Sequence, residues 1–151
     1  MGRPRVLAII AGVITDIVSS SLMGIVFVVV LLIVRMANGD TTEHAGQEID
    51  KALHSSPPLL LASGGIGALG SMIGGFVAGW IARYNRLFNG ILTGIVSVLT
   101  GFFFPMNYPV WYICLGVVLT IGPAVAGAYF ADLVFGISEP PPPTKQIIVH
   151  P

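Results

Sequence analysis

Two carboxylates, Asp16 and Asp132, stand inside apolar stretches of this 151-residue chain, where a charge costs about 3 kcal/mol or more unless protein or water receives it. Asp16 falls on the row Ala8, Gly12, Ser20 and Gly24 at helical spacing. Asp132 continues the row Ala124 and Ala128 toward Gly136, so both carboxylates point at neighbouring helices rather than at lipid. Two chemistries suit them. In the one we expect, both lie near the cytoplasmic ends of their helices, level with Arg83 and Arg86. Carboxylate–guanidinium pairs there neutralise charge and lock the outer helices against the central hairpin. In the other, Asp16 lies deeper, beside Thr15, Ser19 and Ser20. A carboxylate so buried sheds its charge by taking up a proton or a cation.

The other reactive residue types form no such pattern. His44, His54 and His150 fall outside the apolar stretches, and His44 with Glu48 is the one close pairing at helical spacing. Two ligands fall short of the four that structural zinc takes, so we expect solvated histidines and no metal. Cys114 is the single cysteine and reads as a small apolar filler. No glycine-rich turn leads to the Lys and Ser or Thr of a phosphate loop, and no serine occupies a nucleophile elbow. The glycines from Gly64 to Gly79 lie in an apolar stretch with no strand before it, so they do not form a dinucleotide fingerprint. No enzymatic activity and no cofactor are expected. Formal net charge is zero and the seven basic residues never cluster, which argues against nucleic acid as a partner.

The elements that position these carboxylates follow from composition. With 54% hydrophobic and 9% charged residues, and a mean hydropathy of +0.88, the chain carries more apolar surface than a soluble fold can bury. The expected fold is an all-α membrane protein with four transmembrane helices in an antiparallel bundle. Its spans lie at about 6–34, 59–82, 87–104 and 111–135, with an outer loop at 35–58. Arg3 and Arg5 before Val6 resemble a secretory signal, yet the apolar run continues to Val34 without a convincing cleavage site, so it reads as an uncleaved first span. Gly2 is not followed by the Ser or Thr at position six that myristoylation wants, since Val6 stands there. Pro57 and Pro58 suit the entry of the second span. The turn Met106 to Val110 forces the third and fourth into a hairpin. Pro123 frees the Leu119 carbonyl, so a kink is expected in the fourth, eased by Thr120 or a neighbouring helix.

Orientation rests on the basic residues. Arg3, Arg5, Arg83, Arg86 and Lys145 share one side, against Arg35 and Lys51 on the other, so both termini are expected in the cytoplasm. Aromatic rings gather at both interfaces, Phe102, Phe103, Phe104, Tyr108, Trp111 and Tyr112 at one, and Trp80, Tyr84 and Phe88 at the other. Within the outer loop, Asp40 with Glu43 reads as a capping box for a short helix carrying Ala45, Ile49, Ala52 and Leu53 on one face. Residues 137–151 form a Pro-rich cytoplasmic tail, in which Pro140 to Pro143 favour an extended polyproline II segment.

Lipid supplies no hydrophobic force between helices, so close contact across small residues must hold them. The rows for this are Gly12 and Gly24 in the first span; Gly67, Ser71, Gly75 and Gly79 in the second; Gly90 and Gly94 in the third; Ala124 and Ala128 in the fourth. They serve packing within the chain or pairing with another copy or a membrane partner, the bilayer being the remaining partner. Gly74, Gly75, Phe76, Val77, Ala78 and Gly79, then Arg83, then Gly90 and Gly94, resemble the central hairpin of small four-helix prokaryotic membrane proteins of unknown function. The resemblance covers about a fifth of the chain. It implies a prokaryotic plasma membrane and the four-helix architecture, and transfers no functional residue. Two functions follow as expectations. The first is a structural, assembly or regulatory membrane subunit without catalysis. The second is a small transporter or channel subunit using Asp16, with Asp132, as a proton or cation site.

Overall fold

The computed structural model describes residues 6–82, 85–103 and 108–136. Among them it is almost wholly helical, with five helices and no strand: α1 (Val6–Ala37), α2 (Thr42–Ser55), α3 (Pro57–Ala82), α4 (Arg86–Gly101) and α5 (Val110–Phe135). The expectations on Arg83, Tyr84, Phe104 and the Pro-rich tail lie outside the described residues.

α1 runs three residues past Val34 and is closed by Gly39, whose φ of +97° lets the chain turn back while its N–H bonds the Met36 carbonyl. Residues 35–58, read from sequence as one outer loop, thus contain the end of α1, all of α2 and the start of α3. The capping box does not form. Thr41, not Asp40, is the N-cap of α2 and makes no side-chain cap bond, while Asp40 lies 3.6 Å from Arg35. α2 buries Ala45 and Ile49, one helical turn apart, against α1 and α3. Pro57 and Pro58 then open α3, where a missing N–H costs nothing.

α1, α3 and α5 are long and apolar enough to cross a membrane, with 32, 26 and 26 residues. At about 1.5 Å per residue these reach roughly 48, 39 and 39 Å, against a hydrocarbon core of about 30 Å. α4 has 16 residues, roughly 24 Å, because its helix gives way to a turn at Phe102 and Phe103. α5 continues as one helix through Pro123, and the Thr120 hydroxyl donates to the Gly116 carbonyl rather than to that of Leu119.

α3 is the centre, with α1 on one flank and α5 on the other; α4 packs on α5, α3 and α1. The interior is built from small residues, Ala8, Ala78, Ala82, Ala124, Ala128 and Ala131 being fully covered, while most large aliphatic side chains face outward. That inverts a soluble core and fits a lipid surround. Contact is closest from Gly70, where a Cβ would strike Ser20, to the end of the bundle that holds Arg86. A Cβ placed on Gly75 would strike the Ala124 carbonyl, one on Gly127 that of Met72, and one on Gly90 the Ala128 methyl. Gly12 lies less tightly on Ala78, Gly94 on Ile121, and Gly79 on Ala131 and Ala128. Gly24 and Gly67, expected to pack, have nothing within 4 Å. Both stand on the α2 side of Gly70, although a Cβ on Gly64 there would still meet Leu119 of α5 at 3.1 Å.

Candidate functional site

Asp16 is buried, with 6% exposure, where α1 crosses α3 at Gly74. Glycine there lets the aspartate lie against bare backbone, its Cβ 2.7 Å from where a Gly74 side chain would begin. One turn away on α3, the Ser71 hydroxyl donates to Asp16 Oδ1 at 3.0 Å, and Ser20, one turn along α1, donates to the same oxygen at 3.2 Å. Both bonds fall on Oδ1, which leaves Oδ2 to the cavity that Asp16 lines. Among the described residues no basic side chain lies within 4.0 Å of Asp16. Ser71 stands eleven residues before Ala82, about 16 Å along α3, so the carboxylate sits near the middle of that helix.

The cavity has a volume of about 290 Å³ and is walled by α1, α3, α4 and α5. Its polar groups are mainly hydroxyls whose protons are already engaged. Ser20 and Ser71 donate to Asp16, Ser63 to the Leu60 carbonyl at 2.9 Å, and Thr100 and Thr120 to the Val96 and Gly116 carbonyls at 2.8 Å each. Oxygen lone pairs are what such hydroxyls have left to offer, so the cavity is rich in acceptors. Ser97 Oγ is buried with no hydrogen-bond partner and belongs to the same lining. Leu119, whose carbonyl loses its helical donor to Pro123, also lines it. A second cavity of about 200 Å³ between α4 and α5 shares Ser97, Gly101, Tyr112, Gly116 and Thr120 with the first, and continues it toward Tyr108.

Asp132 belongs to a separate cluster. Arg86, with 4% of its side chain exposed, sends Nη1 to Asp132 Oδ1 at 3.4 Å and to the carbonyls of Ala131 at 3.1 Å and Gly136 at 2.6 Å. A guanidinium there satisfies carbonyls that the end of α5 leaves without donors and complements its dipole. Arg86 is aimed inward by the turn before it, where Asn85 adopts the left-handed conformation, φ 51°. The two aspartates therefore do not share one level, as the sequence suggested. α1 is already helical at Val6 and Ala8 is already covered, so Asp16 lies well inside the packed part of the helix.

Three features escaped the sequence. Asn89 and Thr93 are covered polar residues on the packed face of α4, Asn89 donating to the Asn85 carbonyl and Thr93 to that of Asn89. Their spacing beside Gly90 and Gly94 was the available signal. Cys114, read as a filler, is exposed on α5. His54 is exposed on α2, as its reading as solvated has it, but it also stacks on Tyr108 with ring centres 5.0 Å apart, and its Nδ1 lies 2.8 Å from the Asp50 carbonyl. Burial, then the Tyr112 phenol and the Asp50 carboxylate, push the Tyr108 phenol above its ordinary pKa. Among the described residues no three His, Cys, Asp or Glu side chains gather to hold a metal.

Compared with protein families, curated proteins and solved structures, the chain matches none of them.

Proposed function

We propose that this chain is a small four-span protein of a prokaryotic plasma membrane, with both termini cytoplasmic and no catalysis of its own, that carries a proton or a cation through Asp16. The observation that carries the reading is the buried carboxylate with Oδ2 toward a cavity walled by hydroxyl acceptors. An acceptor-rich, carboxylate-bearing cavity attracts positive charge and repels anions. α4 supplies the remaining crossing together with the turn residues that follow it, and the excess of Lys and Arg on the Arg86 side supports the orientation. Asp132, neutralised by Arg86, has a structural part in this reading.

The test is flux in proteoliposomes. Wild type should show proton-, Na⁺- or K⁺-dependent flux that Asp16→Asn abolishes, since the amide keeps the shape and loses the charge. No flux in either protein removes transport of those ions. A second reading, a structural or assembly subunit, is favoured by α1, whose large side chains from Ile17 to Val34 are mostly exposed and leave an apolar face for another helix. It loses its support if tagged protein leaves mild detergent as a lone monomer.

A further inference from the structure

The cavity beside Asp16 is elongated, and its ends differ chemically. Ser71, bonded to Asp16, marks one end; Ser63, 3.1 Å from the Tyr112 hydroxyl, marks the other. Eight residues of α3 separate the two serines, about 12 Å along the helix. Ile17, Gly67, Ala68 and Leu119 give the wall an apolar share, beside the hydroxyls of Ser97 and Thr120. A desolvated hard cation asks for about six oxygens or more around one point. Here the hydroxyls are spread along the cavity, Ser63 and Ser71 alone lying about 12 Å apart, so a bare ion cannot reach them all.

A primary ammonium on a short carbon chain meets the geometry better. Its three N–H donors match Asp16 Oδ2 and the nearby hydroxyl lone pairs, and its carbon body matches the apolar share of the wall. The volume of about 290 Å³ equals the share of roughly ten waters at about 30 Å³ each, ample for such a body. Resting on the cation reading of this site, we infer that the cavity takes a short primary alkylammonium ion, with its head on the Asp16 carboxylate and its chain along Gly67.

The experiment is equilibrium calorimetry of n-butylammonium chloride binding to the purified full-length protein in detergent, with tetramethylammonium, sodium and potassium chlorides alongside. Butylammonium should bind wild type, and tetramethylammonium, which has no N–H, at least about tenfold more weakly. Asp16→Asn should weaken butylammonium binding at least about tenfold. Gly67→Leu directs a side chain into space that is empty within 4 Å, so it should keep the fold and lose butylammonium. Asp16-dependent binding of sodium or potassium without butylammonium overturns the ammonium assignment and leaves the cation reading standing. Butylammonium binding indifferent to both substitutions also overturns it, as partition into detergent. No Asp16-dependent binding of any of these cations overturns both.

Discussion

The same substitution made twice on α3 should give opposite results. Gly67→Ala and Gly75→Ala each exchange a glycine for the best helix former, a gain of up to about 1 kcal/mol. At Gly67 the new methyl meets nothing within 4 Å, so the gain stands. At Gly75 it overlaps the Ala124 carbonyl oxygen and comes within 2.6 Å of that residue's carbonyl carbon and Cα. Carbon atoms prefer about 3.5–4.0 Å, so α3 and α5 must part by about 1 Å. The obstacle is backbone and has no other rotamer to adopt. Because the propensity gain is common to both, the difference between the variants isolates the overpacking, about 1–3 kcal/mol. Separation should also loosen Gly127 from Met72, which places the result toward the upper end. Unfolding by SDS titration in mixed micelles, followed by the fluorescence of Trp80 and Trp111, measures it. Variants of equal stability, within about 0.5 kcal/mol, would refute the close approach of the two helices.

Arg86→Leu strands the Ala131 and Gly136 carbonyls and leaves Asp132 unneutralised, so the same titration should show a loss of about 3–5 kcal/mol. Asp132→Asn should cost only about 1 kcal/mol, since that side chain is 31% exposed and the amide still accepts a hydrogen bond; equal losses would contradict the picture of Arg86 as the buried clamp. The raised pKa of Tyr108 makes its contribution to stability complete below about pH 10 and lost as pH rises through its folded value. Tyr108→Phe keeps the ring against His54 and removes that loss, so the alkaline decline in stability should be shallower in the variant than in wild type. An identical decline in both would place the titration elsewhere.

Much of the helical content could be read from hydropathy and from punctuation such as Pro57, Pro58 and Gly39, because those signals are local. The level of Asp16 could not. Sequence gives its row on α1, but its depth depends on which residue of α3 lies opposite, and Gly70, Gly74 and Gly75 are alike to any pattern of small residues. Contact with Gly74 and Ser71 decides it, about 16 Å from the end where Arg86 lies. The division of the glycines into packed and open was hidden for the same reason. Gly67 and Gly75 share a face and a spacing, yet one lies beside a cavity and the other under the Ala124 backbone. The stack of His54 on Tyr108 joins residues fifty-four apart, and no short-range period encodes it.

That division bears on how the carboxylate could be reached. Helices in lipid are held by contact alone, and here the closest contacts run from Gly70 to the end of the bundle that the Arg86 bonds hold. Among the described residues α1 and α5 do not touch, and toward the other end α4 gives way to a turn at Phe102. α2 spans that end through two covered residues, Ala45 and Ile49, and through the single ring stack on Tyr108. Few buried contacts mean a low cost of local opening. Asp16 lies at the boundary between the two regions, held by Ser71 and Gly74 on the packed side and facing the cavity on the other. Access should therefore depend on the contacts of α2, Tyr108 and Tyr112 rather than on the rigid half. On the proposed cation reading, loosening the α2 end should change how fast a cation arrives, while Asp16 and the residues lining its cavity should change how tightly it is held.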